Sequence, residues 1–165
     1  MPEVMPPQVQ WQVKRACSRD VGALVPLFDA YRRFAREPSD PQLTRRFLED
    51  RLRSGDSVLL IARIAPRKAA GFAQLYRLFD GPACRPMFLL YDFFVDPAAR
   101  GEGIATALLH AAAEHARAQN AIRLDLMTEL SNHAARKLYA RAGWTQAEDF
   151  AVYCQDPNVA RAAQG

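Results

Sequence analysis

The sequence predicts an α/β fold, a mixed central sheet flanked by helices. Three observations carry that expectation. Apolar runs short enough for strands alternate with segments whose apolar positions recur at i, i+3 and i+4. Clusters of Pro, Gly and Asp separate them, at Pro38 and Pro41, at Gly55-Asp56 and at Asp80-Gly81-Pro82. The strands in the middle of the chain follow one another with no long helix between them, so hairpin pairing and crossover pairing share one sheet.

Each element has its own signal. Val9 to Lys14 reads as a first strand. Asp20 to Arg36 carries Val21, Leu24, Val25, Leu27, Phe28 and Tyr31 at helical spacing, and Pro38 and Pro41 break it. Gln42 to Arg53 is a second helix on Leu43, Phe47, Leu48 and Leu52. Gly55-Asp56 turns the chain into a strand from Ser57 to Ile64, and Pro66-Arg67-Lys68 into another from Ala70 to Phe79. Asp80-Gly81-Pro82 leads to the strand Met87 to Val95. A long helix to Gln119 follows, then a strand from Ile122 to Thr128, a short helix from Asn132 and a last strand from Asp149 to Cys154. No internal repeat or boundary divides the chain, so residues 1–165 are expected to form a single domain with flexible ends at 1–8 and 157–165.

Composition narrows the function classes. At 165 residues and 50% hydrophobic, the chain is long enough for a proper core and too apolar for disorder. No apolar run approaches the roughly 18 residues of a membrane span. Met1 to Gln10 holds three prolines and no apolar segment of the signal-peptide kind. Cys17, Cys84 and Cys154 are scattered and lack metal-ligand spacing, which predicts reduced thiols in the cytoplasm. His110 and His115 fall on different helix faces, so no metal site is expected. The net charge of +4 is spread over Arg32-Arg33, Arg36 and Arg45-Arg46 with acids between them, a solvated face rather than a nucleic-acid surface.

Two motifs carry chemistry. The first is Asp96-Pro97-Ala98-Ala99-Arg100-Gly101-Glu102-Gly103-Ile104-Ala105. It joins a strand to a helix on which Ile104, Ala107, Leu108, Ala111 and Ala112 share a face. A strand, a short Gly-containing loop and a helix start gather free N–H groups at the positive end of a helix dipole, where a phosphate can sit. Arg100 adds a planar donor fork, and Gly101 and Gly103 let a ligand approach the backbone. A dinucleotide loop fits poorly, because its first Gly follows the strand directly and Thr106 here occupies the third Gly position. A phosphate-binding Walker loop is excluded, since no Gly-Lys-Ser/Thr follows.

The second motif runs from Asn132 to Trp144. Ser131 or Asn132 can cap its start, and Gly143 can close its end in the left-handed conformation. Ala135, Leu138, Tyr139 and Ala142 share one face, on which Tyr139 reads either as a core aromatic or as a functional phenol.

Together the motifs resemble the GNAT superfamily of acetyl-CoA-dependent N-acetyltransferases. Arg100-x-x-Gly103-x-Ala105 matches that superfamily's pyrophosphate loop. Asn132, Ala135, Leu138-Tyr139 and Gly143-Trp144 match its later Asn-x-x-Ala-x-x-Leu-Tyr-x-x-x-Gly-Phe pattern. The strand Tyr91-Asp92-Phe93-Phe94-Val95-Asp96-Pro97 looks like that of the diamine and polyamine acetyltransferases, with Tyr91 where their pattern has Glu.

The resemblance implies a mostly antiparallel sheet splayed between its fourth and fifth strands, acetyl-CoA as acyl donor, and a homodimer. It implies cofactor contacts from Phe93, Phe94 and Val95, from Arg100, Gly101, Glu102, Gly103, Ile104, Ala105 and Thr106, and from Asn132, Ala135 and Tyr139. Tyr139 is then the general acid beside the CoA sulfur, and the amides of Phe94 and Val95 polarise the acetyl carbonyl. Asp92 is the candidate base by position, with Tyr91 and Tyr31 as substrate contacts. Strand alternation sets Tyr91 and Phe93 on one face and Asp92 and Phe94 on the other, so one set lines the acceptor cleft unless a bulge intervenes. Glu37, Asp40, Asp80, Asp92 and Glu129 are acids available to gather around a cationic, polyamine-like amine. Amino acids, aminoglycosides and protein amines remain open as acceptors, as does a CoA-binding sensor with little turnover.

Overall fold

The computed structural model describes residues 11–65 and 68–157. Its strands are β1 (Gln12–Arg15), β2 (Ser57–Ala65), β3 (Lys68–Asp80), β4 (Arg85–Val95) and β5 (Leu124–Leu126). Its α-helices are α1 (Val21–Phe34), α2 (Pro41–Ser54), α3 (Ile104–Ala118) and α4 (His133–Arg141). The five strands form one sheet in the order β1-β2-β3-β4-β5. The first three pairings are antiparallel and β4–β5 is parallel. This is the mixed sheet that hairpins followed by one helical crossover require.

Period-two alternation divides the core between the two faces of the sheet. Leu59, Ile61 and Phe72 face α1 and α2, and pack with Leu24, Phe28 and Leu48. Leu60, Ala62, Ala73, Leu75, Phe88 and Leu90 face α3, and pack with Ile104, Leu108, Leu109 and Ala112. Each fully buried Leu or Phe stabilises the fold by about 1.5–3 kcal/mol. Local signals set the helix ends. Asp40 caps α2 by accepting the Leu43 N–H at 2.9 Å, Pro41 follows it, and Gly55 closes the helix at φ +65°.

Most elements lie where the sequence places them, with three differences. β1 starts at Gln12, and Val9 and Gln10 lie outside the described residues, as do 1–8 and 158–165. The strand expected from Ile122 to Thr128 contracts to Leu124–Leu126, because β4 stays beside it only from Phe88 to Leu90. Asp149 to Cys154 forms no strand. No described edge pairs with it, and Phe150, Val152 and Tyr153 stay exposed. An alternating apolar pattern makes a strand only when a neighbour supplies the ladder. Among the described residues no helix is long and apolar enough to cross a membrane.

Asp20 is a fully buried carboxylate that ties β1 and β2 to the start of α1. It accepts the Cys17 N–H at 2.9 Å and faces Lys14 at 3.1 Å and Arg63 at 3.4 Å. Burial pushes its pKa up, but the bonds from Cys17 and Lys14 outweigh that and hold it below the ordinary carboxylate value. A depressed pKa gives stability that is present above the unfolded value and lost as pH falls through the folded one. Asp20→Asn is therefore expected to cost about 2 kcal/mol at neutral pH, with the gap from the parent narrowing below about pH 4. Urea melts of both proteins across that range check it; a gap that does not change with pH contradicts it.

Candidate active site

The site begins with a parting of strands. β4 and β5 pair from Phe88↔Leu124 to Leu90↔Leu126, and β4 then runs on to Val95 with no strand beside it on that side among the described residues. At the same point the β3–β4 ladder skips a residue. Gln74 pairs with Asp92 and Leu75 with Leu90, so Tyr91 is the extra residue of a β-bulge. The bulge inverts the alternation. Phe88 and Leu90 face α3 before it, whereas Phe93 and Val95 do so after it. Phe94 joins the α1–α2 side. Tyr91 meets Tyr76 edge-on at 6.1 Å, so Tyr91 and Asp92 come to the same face, where the sequence pattern had set them on opposite ones.

On the α1 side, Tyr31 donates its phenolic O–H to Asp92 Oδ1 at 3.0 Å. Phe28 and Phe72 hold the Tyr31 ring edge-on at 5.6 Å each. Burial pushes the Asp92 pKa up, and the Tyr31 bond offsets only part of this. Burial, then the Asp92 charge, raises Tyr31 strongly and pushes Tyr76 up to about 12. Gln74, across the ladder from Asp92, is fully buried. Its Nε2 donates to Ser57 Oγ at 2.8 Å, while its Oε1 has no partner.

On the α3 side lies the loop Arg100–Thr106. Gly101 and Gly103 adopt φ of +85° and +80°, a region that costs other residues about 1–2 kcal/mol. Gly103 is the N-cap of α3, and no side chain caps that helix. The first-turn amides thus lack an internal acceptor, which suits an anion. Arg100 folds back so that its Nε donates to the Val95 carbonyl at 3.3 Å. Trp11 donates its indole N–H to the Glu102 carbonyl at 2.9 Å and lies against Gly103. The sequence offered no signal for Trp11, which is 91 residues away from its partner.

Backbone alternation also sorts the β4 amides. The Asp96 N–H donates to the Ala70 carbonyl at 2.8 Å, so the Phe94 N–H, two residues back, turns toward β3 as well. The amides of Phe93 and Val95 turn into the parting. α4 lies beyond it. Asn132 caps this helix, its Oδ1 accepting the Ala135 N–H at 3.2 Å. Tyr139 is half-buried between Phe93 at 6.4 Å and Trp144 at 6.3 Å, and burial raises its pKa. Tyr139 and Asp92 approach β4 from opposite faces, yet the Tyr31 phenol feels both. Three of the other acids have their own partners. Asp40 caps α2, Asp80 pairs with Arg123 at 2.9 Å, and Glu129 accepts from Ser131.

The comparisons agree with this geometry. Residues 24–144 match the family model described as the acetyltransferase (GNAT) family. The chain belongs to that family. It is 39% identical over 142 residues to an uncharacterized N-acetyltransferase, YhfO, of Bacillus subtilis, covering 86% of this chain and 95% of that one. A crystal structure of a probable acetyltransferase superposes with a TM-score of 0.83 at 32% identity, covering 88% of this chain and 97% of its own. A Clostridium acetobutylicum structure described as a predicted acetyltransferase with acetyl-CoA shares the fold at a TM-score of 0.68 and 18% identity, covering 88% of this chain and 96% of that one. The protein is an acetyl-CoA-dependent N-acetyltransferase, and its sheet is the GNAT sheet, parted after the pairing of β4 with β5.

The Tyr31 bond stabilises the charged form of Asp92, so removing it raises the carboxyl pKa further. Tyr31→Phe keeps the ring packing and is expected to move the Asp92 titration upward in carboxyl-resolved NMR. An unchanged or lowered midpoint contradicts the assignment of the bond.

Proposed function

We propose that this enzyme transfers the acetyl group of acetyl-CoA directly to a primary amine of a small molecule, with the donor on the α3 face and the acceptor on the α1 face. The observation that supports it most is the parting itself. It joins an uncapped helix start with two left-handed glycines on one face to a carboxylate held by a single phenol on the other. The loop Arg100–Thr106 fits a pyrophosphate because no side chain caps the first-turn amides of α3 and its glycines present no Cβ. When bound, acetyl-CoA supplies a thioester whose carbonyl carbon is open to attack.

The residues then divide the proton work. An ammonium near pKa 10 cannot attack until it loses a proton. Asp92 accepts that proton, directly or through a water, and its raised pKa makes it a better base than an ordinary carboxylate. The amides of Phe93 and Val95 point where the carbonyl oxygen gathers charge. The new N–C bond forms as the C–S bond breaks, Tyr139 donates its phenolic proton to the departing thiolate, and the second proton lost by the nitrogen restores the phenol. The phenol is held on that face by Phe93 and Trp144. The three thiols of Cys17, Cys84 and Cys154 are free, which supports a reducing compartment such as the cytoplasm. Asp149 to Cys154, apolar and exposed, supports assembly as a homodimer.

Two substitutions separate these roles. Tyr139→Phe keeps the ring and loses the proton donor, so turnover is expected to fall about 10²-fold while acetyl-CoA affinity stays. Unchanged turnover under chemistry-limited conditions returns Tyr139 to a packing role. Asp92→Asn is expected to lower turnover most at neutral pH and least at high pH, where solvent has already removed the amine's proton. A pH–rate profile that overlays the parent's throughout contradicts the base assignment.

A further inference from the structure

Asp92 is a half-buried carboxylate with no ion pair among the described residues, unlike the buried Asp20 and Asp29. Asp20, Asp29, Asp56, Asp80 and Asp125 each face a Lys or Arg within ion-pair distance. Among the described residues, none lies that close to Asp92, whose hydrogen-bond partner is the neutral phenol of Tyr31. A half-buried carboxylate with no counter-charge is costly, and a cation delivered by a ligand removes that cost. Gln74 Oε1, fully buried and unpartnered across the ladder, adds an acceptor and no charge.

The surroundings are aromatic. Tyr31 stands over Asp92, and the Tyr76 and Tyr91 rings meet at 87° beside it. Tyr91 is 59% exposed and Phe34 66% exposed. Phe34 packs its ring 6.1 Å from Phe94, which in turn touches Tyr31 at 5.9 Å. Ring faces attract one ammonium and stack on a flat apolar body. They offer a second, distant ammonium no carboxylate, and Asp56, the acid that also acts on Tyr76, is already paired with Arg51 at 3.3 Å.

We infer that the acceptor is a monoamine: one primary ammonium at Asp92 and a flat apolar body against Tyr31, Tyr76, Tyr91 and Phe34. This rests on the proposed acetyl transfer across the parting. It narrows the polyamine-like acceptor suggested by the strand motif, and the Tyr91 that replaces the Glu of that pattern supplies the reason. A carboxylate there would hold a second charge, whereas a phenol ring stacks.

The test uses the full chain with 2-phenylethylamine, 1,4-diaminobutane and spermidine, following CoA release, with acetyl-CoA affinity measured by calorimetry. The expected kcat/KM for 2-phenylethylamine is at least about tenfold above either polyamine. Tyr91→Ala is expected to lower that value several-fold, to lower the 1,4-diaminobutane value less, and to leave acetyl-CoA affinity intact. A polyamine used equally well or better overturns the inference. So does an equal loss on all amines in Tyr91→Ala. If acetyl-CoA binds and no amine of the panel is turned over, the monoamine class fails while the donor site stands. If acetyl-CoA does not bind, the proposed function fails and the inference falls with it.

Discussion

The one-residue bulge at Tyr91 decides what each face of the sheet can do, because strand alternation leaves no other freedom. Phe88 and Leu90 must face α3 to complete its core. With strict alternation, Asp92 and Phe94 would follow them, and the carboxylate would lie on the face of the pyrophosphate loop. Phe93 would leave Tyr139. The extra residue sends Asp92 to Tyr31 and Phe93 to Tyr139 in one step. It falls within one residue of the last β4–β5 pair, so the faces exchange where the sheet opens. A bulge elsewhere on β4 would invert the faces without giving them a passage.

Desolvation and hydrogen bonding work against each other at Asp20 and Asp92, with opposite results. Asp20 has a backbone N–H and two cations, so its bonds win and the charge is secure. Asp92 has one phenol, so burial wins and the charge is poised. The difference is one of partner count rather than of residue type. It separates a carboxylate that holds β1, β2 and α1 together from one free to take a proton.

Much of the fold was legible because it is written in local periodicity. The apolar positions of α1, α2 and α3 and the runs of β2, β3 and β4 need no knowledge of neighbours. Gly143, at φ +84°, and the Asn132 cap were legible for the same reason, since each acts within one turn. What could not be read depends on distant partners. The Tyr91 bulge is set by β3 register, and both Tyr91 and Phe93 look equally strand-like in isolation. Trp11 meets Glu102 only after α3 has crossed the sheet. Asp149 to Cys154 fails in the other direction: its pattern is that of a strand, but no described strand pairs with it.

The loop Arg100–Thr106 leaves donors open at a cost in intrinsic stability. Two left-handed glycines lose backbone entropy on ordering, and an uncapped helix start leaves amides unsatisfied. A capping side chain would satisfy them permanently and contribute about 1 kcal/mol. The chain instead fastens the loop from outside. Trp11 holds the Glu102 carbonyl, and Arg100 holds the Val95 carbonyl. Both tethers bind acceptors and leave the amides alone. The loop is therefore ordered before any anion arrives, and the donors an anion needs are not spent in ordering it. That is preorganisation in the sense that lowers the entropic cost of binding. Arg100 engages only its Nε in this tether, on the Val95 carbonyl.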